Sequence, residues 1–96
     1  MASWTISRVE PPAELASGAE PSPMLAWDAA ITEALQAFGD GGGLDRCAFT
    51  VDSHPAFLVA GRTHSGELDL PATRAAAERM AAAILGVADL SATPPA

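Results

Sequence analysis

The chain of 96 residues has no lysine, no tyrosine and no asparagine, a single cysteine, and five arginines set against twelve acidic side chains. Each shortage excludes something. Binding a phosphate backbone takes clustered cations, and five scattered arginines do not form such a footprint, so nucleic acid is excluded as a partner. The twelve carboxylates are spread along the chain, too thinly for a mimic of nucleic acid. One cysteine cannot close an internal disulfide, and Cys47 is expected to be a small buried hydrophobe in a reducing compartment. No stretch approaches the roughly 18 apolar residues of a membrane helix. The start, MASWTISR, lacks a basic segment followed by an apolar one, so the expectation is a cytoplasmic protein with no membrane partner. Aromatics make up 5% of the chain, and much of its 49% hydrophobic content is alanine, which predicts a thin core. Abundant Ala, Gly, Pro, Asp and Arg beside absent Lys and Asn carry the imprint of a GC-rich genome, which suggests a bacterial or phage origin.

What is present is organised around residues 44–64, LDRCAFTVDSHPAFLVAGRTH. Two short runs rich in β-branched and aromatic residues, Cys47 to Val51 and Ala56 to Ala60, flank the turn formers Asp52-Ser53-His54-Pro55. This predicts a β-hairpin reversing at Ser53-His54. In that register Phe49 faces Leu58, Val51 faces Ala56, Cys47 faces Ala60 and Asp45 faces Arg62. Strand side chains alternate, so Cys47, Phe49, Val51, Ala56, Leu58 and Ala60 share one face. The other carries Ala48, Thr50, Phe57 and Val59. An antiparallel sheet with one solvated side should be polar there, so this second apolar face is expected to meet a partner.

Around the hairpin, residues 3–9 alternate as a strand with Trp4 and Ile6 inward. Residues 10–22, rich in Pro, Ala and Glu and without a period, read as an extended connector. A helix follows, capped by Ser22, with Pro23 in its first turn and Gly39 just past its end. Its apolar stripe is Trp27, Ile31, Leu35 and Phe38. The glycine-rich stretch 39–43 leaves a helix C-terminus, the wrong polarity for a phosphate loop, and reads as a cap and connector. A second helix is expected from about Pro71 to Ala88 with Asp69 as cap, and Ala76, Met80, Ile84 and Val87 (or Ala77, Ile84 and Leu85) line one side of it. Residues 91–96 read as a flexible tail. The fold class is thus α+β, a single domain with a small antiparallel sheet in the order β-α-β-β-α and two helices on one of its faces.

Chemistry-bearing residues do not converge. His54 at the turn and His64 beyond the same strand lie roughly ten residues, or about 30 Å, apart along it, and two ligands at either end do not make a zinc site. Asp52-Ser53-His54 contains the residue types of a hydrolytic triad, but neighbours in a turn point apart and nothing supplies an oxyanion hole. Glu67 and Asp69 are expected to be exposed, without the burial that acid–base work requires. There is no cofactor fingerprint and no metal set. The sequence therefore points to a non-enzymatic interaction or assembly subunit. It would bind a protein partner, or itself as a homo-oligomer, through an apolar sheet face or edge strand, with Ala48, Thr50, Phe57 and Val59 at the contact. Two alternatives stand beside it. One is a small-ligand or catalytic domain with a pocket between sheet and helices, lined by Trp27, Phe57 and His64 and completed by dimerisation. The other is a regulator that binds a basic partner through its acidic surface, with affinity that falls steeply with salt.

Overall fold

The computed structural model describes residues 1–9, 12–40 and 44–87. The elements are β1 (Ala2–Arg8), β2 (Ala13–Glu20), α1 (Pro23–Gly39), β3 (Arg46–Val51), β4 (His54–Val59) and α2 (Leu70–Leu85). The four strands form one antiparallel sheet in the order β2-β1-β3-β4. Both helices lie on the same face: α1 packs over β1, β2 and β3, and α2 packs beside α1 against β4. The α+β class and the one-sided helix layer are as expected from the sequence. The thinnest dimension, 17 Å, accommodates one sheet and one helix layer, and among the described residues no helix or strand packs on the opposite face.

The core lies between these two layers. Trp27 is buried against Phe49, ring centroids 5.9 Å apart in an edge-on arrangement, with Ile6, Ile31 and Val51 around them. Ser22 caps α1 by accepting from the Leu25 N–H, and Gly39 is the last helical residue, with Asp40 as the cap. In α2 the Asp69 carboxylate accepts from the Ala72 N–H, and Gly86 ends the helix at φ +72°, a left-handed geometry that glycine adopts without strain.

Four expectations need correction. First, the supposed connector 10–22 contains β2, which pairs with β1 along Ala2↔Glu20 to Arg8↔Ala13 with a bulge between Ile6 and Ser7. Its inward positions include Ala16 and Gly18, too small to print a hydrophobic period. The smallness is required: a Cβ at Gly18 would lie 2.8 Å from the indole of the buried Trp4. Second, the hairpin turns at Asp52-Ser53, whose φ values of 49° and 70° are both positive, as a two-residue type I′ turn demands. Its pairs are Cys47↔Leu58, Phe49↔Ala56 and Val51↔His54, and Asp45 sits opposite Ala60, not Arg62. The slip is two residues, an even number, so every side chain keeps its expected face.

Third, α2 stops at Leu85; Ala88 and the tail 91–96 lie outside the described residues, as do Gly41 to Gly43. Fourth, α2 buries Thr73, Ala77, Ala81 and Ala82, while Ile84 and Val87 are exposed. Small residues win because α2 approaches β4 and α1 closely, and bulky side chains fit only at the margins of that contact.

Candidate interaction surface

The face of the sheet turned away from the helices is built by alternation. Register places Ala48 beside both Phe57 and Ser7, and Thr5 beside both Thr50 and Ser17. The central and β2 side of the face is therefore mostly hydroxyls (Ser3, Thr5, Ser7, Ser17 and Thr50), with Glu14 and the small Ala19 beside them, as water contact favours. The β4 side is different. Phe57 is 65% exposed and Val59 67% exposed, and Pro55 is exposed on the same side of the strand; across on β3, Phe57 faces half-buried Ala48, Val59 faces exposed Arg46 and Pro55 faces exposed Thr50. The four residues expected at an interface, Ala48, Thr50, Phe57 and Val59, do share this face.

The corner is also a sheet edge. Ala60 donates its N–H to the Asp45 carbonyl at 2.8 Å. Antiparallel pairs alternate between bonded and non-bonded, so 47–58, 49–56 and 51–54 are the bonded pairs. The backbone groups of Pro55, Phe57 and Val59 then point outward, away from β3. Both ends of this edge are closed. Pro55 has no N–H, and at the far end the Gly61 N–H donates to Thr73 Oγ1 at 2.8 Å while its carbonyl accepts from the Asp69 N–H. Thr73, buried at 1% exposure, completes the arrangement by donating Oγ1–H to the Asp69 carbonyl. Sequence reading missed this threonine clamp and the outward place of Pro55; the parity of Pro55 with Phe57 and Val59 was the available signal.

Other candidates disperse. Trp27 is buried in the core, Phe57 lies on the opposite face of the sheet, and His64 is exposed at the tip of the loop between β4 and α2. These three do not line one pocket, which removes the geometric basis of the ligand-pocket alternative. His54 is exposed beside the hairpin turn, and Glu67 is exposed in the β4–α2 loop. Among the described residues no group of three or more His, Cys, Asp or Glu is placed to hold a metal ion.

An open cleft of about 410 Å³ runs between the second half of α1 and the start of α2, lined by Thr32, Leu35, Gln36, Asp40, Leu70 and Arg74. Arg74 there donates to Thr32 Oγ1 at 3.4 Å. A smaller depression of about 180 Å³ lies between α1 and the β1–β2 side, over Leu15 and Ala16. Cys47 is fully buried, and that burial pushes its thiol above the usual range against a weaker opposing hydrogen bond from the Ser7 backbone. Such a thiol is a packing group and not a nucleophile. Among the described residues no helix is long and apolar enough to cross a membrane.

No protein-family model matches the chain, and comparison with curated proteins and with solved structures finds no match.

Proposed function

We propose that this protein is a non-enzymatic interaction subunit that binds a protein surface through the β4 corner of its open sheet face. The observation that carries the reading is the pairing of two exposures at the same residues. Phe57 and Val59 present both uncovered apolar side chains and outward backbone groups of an edge strand. Covering both side chains would stabilise a complex by on the order of 1.5–3 kcal/mol each, and strand addition would add directional hydrogen bonds. The dispersed histidines and carboxylates favour binding over catalysis.

The test is a paired capture from the cells that make the protein, using the wild-type chain and the double variant Phe57→Ser/Val59→Thr. The side chains changed are exposed, so the variant folds. The expected result is a stoichiometric companion, including a second copy of the chain, that the wild type retains and the variant loses. Identical companions on both, or none on either, would contradict the reading.

A further inference from the structure

The cleft between the two helices holds a cation that the fold leaves without a counter-charge. Gly39 lies beside Leu70, and Arg74 reaches Thr32, so α2 starts at the end of α1 and runs back along it. At one-turn spacings α1 presents Thr32, Leu35, Gln36 and Asp40 to Leu70 and Arg74 of α2, across an opening of about 410 Å³. Arg74 is half-buried there. Its guanidinium donates to the Thr32 hydroxyl at 3.4 Å, near the long limit of a hydrogen bond. Among the described residues no carboxylate pairs with it. A guanidinium offers a planar fork of N–H donors that fits a carboxylate, and most of that fork is unused by the protein.

We propose that this cleft binds an organic monocarboxylate, with the carboxylate on Arg74 and a short apolar body along Leu35 and Leu70. Three features set that chemistry. At the basic end, Arg74 stands with the Thr32 hydroxyl and the Gln36 amide, all groups able to donate to a carboxylate. In the middle, Leu35 and Leu70 are half-buried and leave apolar surface that a hydrocarbon chain covers. At the far end is Asp40, the other charged residue of the lining, eight residues from Thr32 and so about 12 Å away along α1.

Asp40 decides between one negative charge and two. It follows the C-terminus of α1, where the helix dipole is negative as well. A ligand carrying a second carboxylate at that end meets like charge, and the net −7 of the chain adds to the repulsion. A single carboxylate on an uncharged body meets attraction at one end and no conflict at the other. The cleft lies in the helix layer, away from the β4 corner, and the inference does not depend on the interaction reading above.

The experiment is a titration of the isotope-labelled full chain, followed by residue-resolved amide NMR, with hexanoate, hexylamine and adipate as probes. Hexanoate should saturate with a Kd on the order of 1 mM, within the range open to so small a ligand. Its shifts should centre on Thr32, Gln36, Leu70 and Arg74, while Phe57 and Val59 stay in place. Hexylamine has the same apolar chain and the opposite charge, and should not move these signals. Adipate has the same length and a second carboxylate, and should bind roughly fivefold more weakly.

Two variants assign the ends. Arg74→Gln should weaken hexanoate on the order of tenfold or more. Asp40→Asn, at an exposed position, should narrow the gap between hexanoate and adipate to about twofold. Should the Arg74 variant fail to fold, the probe series on the wild type and on Asp40→Asn decides alone. Hexanoate that does not saturate, hexylamine that moves the same signals, or undiminished binding by a folded Arg74→Gln chain would overturn the proposal. Adipate binding as tightly as hexanoate to the wild type, or a gap unchanged in Asp40→Asn, would overturn it too, because Asp40 would then not select the single charge.

Discussion

Thr73 shows how one side chain sets the limits of a surface. Its hydroxyl accepts from Gly61 and donates to Asp69, closing the end of β4 and starting α2 with the same group. Thr73→Val keeps the shape and leaves the Gly61 N–H without its partner, which should cost about 1–3 kcal/mol in chemical unfolding. Thr73→Ser, which retains the hydroxyl, should cost less; a loss from Thr73→Ser as large as or larger than that from Thr73→Val would mean that the hydroxyl bonds are not what holds this end. Cys47 offers a second test at this scale. Burial raises its pKa in the folded state, so the folded protein holds the thiol proton over a window in which the unfolded chain has lost it. Stability should be independent of this group below the ordinary thiol pKa and fall as pH rises from there through the raised one. The chain has no lysine or tyrosine, so between about pH 8 and 11 this thiol dominates side-chain titration. Denaturant midpoints across that range should decline for the wild type and flatten for Cys47→Ser. Parallel curves would show that the thiol is not the cause.

Among the elements, the hairpin carries the clearest local conflict. Asp52 and Ser53 both hold positive φ without being glycine, a conformation that costs roughly 1–2 kcal/mol per ordinary residue, and less for Asp. Replacing the pair by Asn-Gly should raise stability by about 1 kcal/mol, equivalent to about 4–8 °C in a domain of this size, measured by thermal melting. No gain would mean that the turn is held by the strands alone. The same hairpin explains what could be read in advance. Its faces were legible because alternation of Cys47, Phe49, Val51 and Leu58 survives any even slip; its register was not, because Pro55 suggested a reversal one residue too late. Both helices announced themselves through Ser22, Pro23, Asp69 and Pro71. β2 left no mark because Gly18 beside Trp4 and Ala16 beside Ile6 are too small to make a hydrophobic period. Of the residues expected on the inner side of α2, Ala77 is buried and Ala76, Met80 and Leu85 pack partly buried against the core, but Ile84 and Val87 are exposed, because close approach selects small residues such as Ala77 and Ala81 at the centre of the contact.

On the scale of the whole molecule, two helices cover one side of a four-stranded sheet, and the chain offers nothing among its described residues to cover the other. The hydroxyls of β1 and β2 suit water there, and Phe57 and Val59 do not. The face that these two residues share was therefore legible from alternation alone. The edge that joins them was not, since it depends on the Thr73 clamp between loop and helix. The most direct measurement of the central claim is hydroxyl-radical footprinting of Phe57 in the intact cell, compared with the isolated chain at high dilution. The account predicts strong labelling of Phe57 in the dilute chain and marked protection in the cell, with the exposed Leu25 on α1 as the unchanged reference. Equal labelling of Phe57 in both settings would mean that the β4 corner stands open where the protein works, and would contradict its role as an interaction surface.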